Sequence, residues 1–107
     1  GEGYSLKRLD AVEAKVQRCT YVHKQFPALL PLAVKDLWFS CIYQGQVAMR
    51  ALDAAESKKV LAYLENVLQT QPIQSGQFHT KDRIWLVMTN HGLTATCHLR
   101  NMLKIGL

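Results

Sequence analysis

Apolar residues recur along this chain at three- and four-residue spacing and nowhere alternate with polar ones, so the pattern predicts helices and no strands. From Ser5 to Phe26 one stripe runs through Leu9, Val12, Val16, Cys19 and Phe26, with His23 in the remaining slot. Ser5 is placed to cap this helix, and Pro27 to stop it.

A second helix runs from Pro31 to about Leu52, since a proline lacks an N–H that the first helical turn would leave unbonded anyway. Leu30, Val34, Leu37, Trp38, Cys41, Ala48, Met49 and Leu52 share one broad face, while Leu32, Phe39, Tyr43 and Val47 line the other. A helix that is apolar on both sides is either central in its bundle or binds something. Gly45, between Gln44 and Gln46, is the point where it can divide in two.

Asp53 and Glu56 have the spacing of a capping box, and the third helix that follows has the stripe Val60, Leu61, Leu64, Val67 and Leu68. Thr70 to Gln77 is polar, contains Pro72 and Gly76, and reads as the long loop. Thr80 with Asp82 announces a fourth helix to about Lys104. Its stripe is Ile84, Met88, Ala95, Leu99 and Met102, with Leu86, Leu93 and Cys97 opposite. Asn90-His91-Gly92 resembles a helix terminus with the glycine left-handed, so this element too can be two helices.

The expected architecture is all-α: a compact bundle of four to six antiparallel helices with up-and-down topology, one domain over residues 1–107. Helices two and four belong in its middle. The chain reads as a domain excised from a longer protein.

Composition narrows the class. The 107 residues are 49% hydrophobic and 20% charged, with six glycines and three prolines, which excludes disorder and collagen. Three cysteines, Cys19, Cys41 and Cys97, form no CxxC pair and cannot all be bridged, which favours a reducing, intracellular compartment. The longest nearly apolar stretch, Phe26 to Val34, holds two prolines and is too short to span a bilayer, so no membrane association is expected.

Catalytic signatures are missing: there is no GxGxxG, Walker A, HExxH or GxSxG sequence, and the acids are scattered. Cys19 with His23, and His91 with Cys97 and His98, have helical spacing that zinc could use. Without a knuckle the cysteines read as small core residues and the histidines as hydrogen-bonded core side chains, so no metal, cofactor or small-molecule substrate is expected.

Two functional expectations remain. A small bundle gives each helix two neighbours, so a helix with two apolar faces leaves one to spare. That face predicts a non-catalytic protein-interaction or scaffold domain binding a partner protein, or itself as a homodimer, through Leu86, Leu93 and Cys97 with Arg100 at the edge, and secondarily through Leu32, Phe39, Tyr43 and Val47. The alternative is RNA or DNA binding. The net charge is +5, and Lys7, Arg8, Lys15 and Arg18 fall within an arc of about 100° on the first helix at 3.6 residues per turn.

Overall fold

A computed structural model describes residues 5–107, and among them there are five α-helices, two 3-10 turns and no strand. The helices are α1 (Lys7–Gln25), α2 (Leu30–Ala51), α3 (Ala54–Thr70), α4 (Thr80–His91) and α5 (Leu93–Met102). The 3-10 turns are Pro27–Leu29, between α1 and α2, and Ser75–Gln77, in the loop before α4.

Local chemistry sets most of these boundaries. The Ser5 hydroxyl accepts from the Lys7 N–H at 3.2 Å at the start of α1, and Pro27 follows the last α1 bond, from the Phe26 N–H to the Val22 carbonyl. Pro31 lies in the first turn of α2, where its missing N–H costs nothing. Asp53 caps α3 from an extended backbone, accepting from the Glu56 N–H at 2.8 Å. The Glu56 carboxylate lies 3.7 Å from Lys59. His79, not Thr80, caps α4, its Nδ1 accepting from the Lys81 N–H at 3.3 Å.

The two glycines behave differently from each other. Gly45 leaves α2 unbroken because its missing side chain serves packing: a Cβ there would stand 2.6 Å from Cys97 Sγ and 3.0 Å from Leu61 Cδ2. Gly92 does divide the last element. Its backbone is extended (φ 178°, ψ 115°) and not left-handed as expected, so its N–H closes α4 on the Met88 carbonyl while its own carbonyl accepts from Thr96 at the start of α5.

Side-chain pairs give the helix directions. Lys15 meets Asp36 and Arg8 meets Gln44, so α1 runs antiparallel to α2. Trp38 Nε1 donates to the Gln71 carbonyl at 2.7 Å, and Gly45 abuts Leu61, so α3 is antiparallel too. Cys97 lies against Ile42 and Asn101 against Gln46, which makes α5 parallel to α2. The first three helices alternate in direction as expected of an up-and-down bundle, but α5 runs parallel to α2, so the five helices do not alternate strictly. Helix α2 is its hub, touched by α1, α3 and α5, whereas α4 packs on α5 and the Ser75–Gln77 turn. Three neighbours explain why α2 is apolar almost all round.

The core joins Val12 and Cys19 of α1, the expected α3 stripe, and Leu37, Trp38, Cys41, Ile42 and Ala48 of α2 to Leu86, Leu93 and Cys97. A radius of gyration of 13.6 Å is close to the value of about 13 Å for a compact chain of this size. No helix of the described residues is long and apolar enough to cross a membrane.

Candidate functional site

The face of the last element expected to be open is the one that is shut. Leu86 and Cys97 are 0% exposed and Leu93 is 1% exposed, so these three are core residues and not a docking surface. Arg100 beside them is half-buried. The correction has a physical origin in side-chain size. Cys97, Thr96 and Gly45 are small, so α5 approaches α2 along that line, close enough for Cys97 Sγ to donate to the Ile42 carbonyl at 3.3 Å. The bulkier stripe turns outward: Ile84, Met102 and Leu103 are exposed, Ala95 is exposed, and Met88 and Leu99 are half-buried.

The secondary face on α2 is also largely used within the molecule. Val47 is buried and Phe39 is half-buried against the core. Tyr43 is exposed, but the Arg8 guanidinium lies 5.8 Å from its ring centroid and Arg8 Nη2 donates to its hydroxyl at 3.5 Å. Only Leu32 keeps an open apolar setting, and it has company that the pattern did not reveal.

That company lies where α1 turns into α2. Tyr21 (59% exposed), Phe26 (53%), Leu29 (51%) and Leu32 (56%) are all exposed along the stretch of chain that makes this turn. The Tyr21 and Phe26 rings are 6.4 Å apart and tilted by 59°, an ordinary aromatic contact. Leu29, in the 3-10 turn, and Leu32, in α2, are one three-residue step apart, a spacing that puts side chains on one side, and the Leu29 N–H donates to the Phe26 carbonyl at 2.8 Å. Phe26 was expected inside, as the last member of the α1 stripe. It faces out because α1 ends at Gln25 and Phe26 has left the helical conformation (φ −142°, ψ 63°).

The chain segment that forms this end is basic, and Asp36 and Asp82 reach it only as partners of lysines. Between Glu13 and Asp36 there is no acidic residue, while Lys15, Arg18, Lys24 and Lys35 all fall in that run. Lys15 pairs with Asp36, and Lys35 pairs with Asp82 at 3.2 Å. Arg18 and Lys24 are exposed and have no ion pair among the described residues.

The basic arc on α1 is partly committed as well. Lys15 is held by Asp36 and Arg8 by Gln44 and Tyr43, whereas Lys7 and Arg18 are exposed. Among the described residues no three His, Cys, Asp or Glu side chains converge to hold a metal. Cys19 is buried while His23 is exposed, and Cys97 points into the core while His91 and His98 face out. Burial pushes the Cys41 and Cys97 thiols up to about 12, which leaves them protonated and poor nucleophiles at neutral pH.

One cleft of about 400 Å³ lies between α3 and the α4–α5 corner, with Trp38, Leu68 and Leu93 at its base and Glu65, Asn90 and His91 among its polar lining. No cysteine, serine or lysine lines it. Comparison with protein-family models, curated proteins and solved structures finds no match to this chain, so its own residues carry the functional reading.

Proposed function

We propose that this is a non-catalytic interaction domain that docks a partner protein through Tyr21, Phe26, Leu29 and Leu32. The observation that carries this reading is the coincidence of four exposed large apolar side chains with a basic rim that has no acid in the chain segment around it. Scattered exposed leucines are ordinary on any surface, but a contiguous aromatic and aliphatic cluster is not. The rim selects the partner's chemistry: an apolar helical or extended segment flanked by Asp or Glu. A second copy of this chain is the poorer fit, because a two-fold contact would set Arg18 and Lys24 of each copy against the like charges of the other.

The test is a displayed-peptide selection with the domain as bait. Enriched sequences should combine apolar anchors with acidic flanks, and Leu29→Ser should weaken them by about tenfold or more, as loss of a central anchor does. Ile84→Ser, on the outer face of α4, should not. Enrichment without acidic bias, or equal binding to the Leu29→Ser protein, overturns the proposal. Two other outcomes would also overturn it: a dimer in light scattering that Leu29→Ser dissociates, and salt-sensitive RNA or DNA binding lost on charge reversal of Arg8, Lys15 and Arg18.

A further inference from the structure

At the opposite end of α2 two guanidinium groups are held in place by neutral amides. Arg100 Nε donates to Gln46 Oε1 at 2.9 Å, and the Arg100 guanidinium lies over the Trp85 ring, 4.8 Å from its centroid. Arg50 Nη1 donates to Asn101 Oδ1 at 2.7 Å. Gln46 itself is fully buried, and its Nε2 donates to Asn101 Oδ1 at 3.2 Å and to the Ile105 carbonyl at 2.7 Å. With both of those acceptors satisfied from Nε2, its oxygen has to face Arg100. Asn101 is fixed in turn, its Nδ2 donating to the Gln46 carbonyl at 3.2 Å.

Among the described residues no carboxylate forms an ion pair with either arginine. The three ion pairs among the described residues are Lys15–Asp36, Lys35–Asp82 and Lys59–Glu56. The Nη groups of Arg100 have no hydrogen-bond acceptor among the described residues. Gly106, in a left-handed conformation at φ 75°, brings the C-terminal turn against this edge. A Cβ there would lie 3.2 Å from Arg100 Nη2, so the glycine keeps backbone and guanidinium close without covering the fork with a side chain.

A guanidinium over an aromatic face, anchored at Nε and with no acceptor for its Nη groups among the described residues, has the donor pair that bidentate binding of an oxyanion uses. Partial burial raises the value of the contact, because the charge is less screened than on an open surface. Burial also lowers the Arg100 pKa, because desolvation disfavours the charged guanidinium. Arg50, tied to the same amide pair, supplies a second positive charge. Two charges favour a dianion over a carboxylate.

We propose that Arg100 and Arg50 form a binding site for a phosphate monoester, with Gln46, Asn101 and Trp85 as its positioning residues. The site is on the far end of α2 from the apolar cluster and does not depend on it.

The test is titration of the whole chain with inorganic phosphate and, separately, with O-phosphoserine, followed by NMR of the Arg100 Nε–H and Gln46 side-chain amide signals. Saturable shifts are expected with one or both probes. Phosphoserine binding tighter than inorganic phosphate identifies a phosphorylated residue as the source, and the reverse identifies free phosphate. Acetate at matched ionic strength should bind at least tenfold more weakly. Arg100→Lys keeps the charge but loses the fork and should weaken phosphate by about tenfold, the value of hydrogen bonds to a charged group. Arg50 is exposed, so Arg50→Gln leaves the fold intact and should erase the preference for phosphate over acetate. Shifts that do not saturate, equal response to acetate, or phosphate binding unchanged in Arg50→Gln or in a folded Arg100→Lys protein overturn the proposal.

Discussion

The two ends of α2 solve opposite problems. At its start, Leu29 and Leu32, like Phe26 and Tyr21, are left more than half exposed by the described residues. At its finish, Gln44 and Gln46 are buried among the apolar residues of α2, each matched by a side chain from another element. Burying a polar group costs little once it is bonded, and exposing an apolar one costs little if nothing else can cover it. Stability therefore resides at the polar end. Surface available to other molecules is at the apolar end.

Substitutions sharpen that contrast, and the largest effect is expected at the α5 contact beside the polar end. Leu93→Asp puts a carboxylate with no partner into the core and should cost more than about 4 kcal/mol, enough to unfold the domain. Circular dichroism and urea titration would show it. A folded Leu93→Asp protein would mean that the α2–α5 contact is not the one described.

Gln46→Leu keeps the volume but removes both ends of the amide. Arg100 Nε loses its acceptor and the Ile105 carbonyl its donor, so about 2–3 kcal/mol should be lost in denaturant unfolding. Leu29→Ser at the other end should move the same midpoint by no more than about 0.5 kcal/mol. Equal losses at the two ends would remove the distinction between them.

Alkaline pH probes the hub between the ends. The folded chain holds the Cys41 and Cys97 protons to about pH 12, while the unfolded chain releases them from about 9.0. Folding therefore binds protons in this window. The thiol contribution is intact below pH 9.0 and falls as pH rises towards 12, by about 1.4 kcal/mol per thiol for each unit. Cys41→Ala should flatten the slope of stability against pH between 9.0 and 11, the region where the unfolded chain alone titrates. An unchanged slope would show that the thiol is already ionised in the fold.

Gly45→Ala is the finest probe. Alanine is the better helix former by about 1 kcal/mol, but its Cβ would meet Cys97 Sγ at 2.6 Å, and crowding of that kind costs about 1–3 kcal/mol. A net loss of about 1 kcal/mol is expected in thermal unfolding. Stabilisation would mean that α5 can retreat from α2 without penalty.

How far the sequence carries this picture depends on the range of the interactions. The stripe of α3, the Asp53 cap, Pro31 at the start of α2 and the loop after Thr70 all depend on neighbours a few residues away, and all are where the pattern puts them. The inward face of residues 80–104 is different. Both faces are apolar, and the decision falls to a long-range fit of Cys97 into the space beside Gly45. Counting apolar bulk selects the wrong side, because close approach rewards small residues.

Gln44-Gly45-Gln46 shows the same limit from the polar side. Two amides flanking a glycine read as a place where a helix ends. Their partners Arg8, Arg100 and Asn101 lie far away in the chain, so nothing local shows that the amides are satisfied and the helix continuous. The apolar cluster was visible only in part. Leu32 could be picked from the second face of its helix, whereas Phe26 and Leu29 required knowing where α1 stops.

The corner at Gly92 has a consequence for how the molecule comes apart. Helix α4 is attached through α5, the Ser75–Gln77 turn, the Lys35–Asp82 pair and the buried side chain of Leu86, and it makes little backbone contact with the hub. It can swing away about the extended glycine while α1, α2, α3 and α5 stay associated. In hydrogen-exchange terms α4 forms its own opening unit, and its amides should exchange through a smaller excursion than those of α2, whose release requires the whole bundle to unfold.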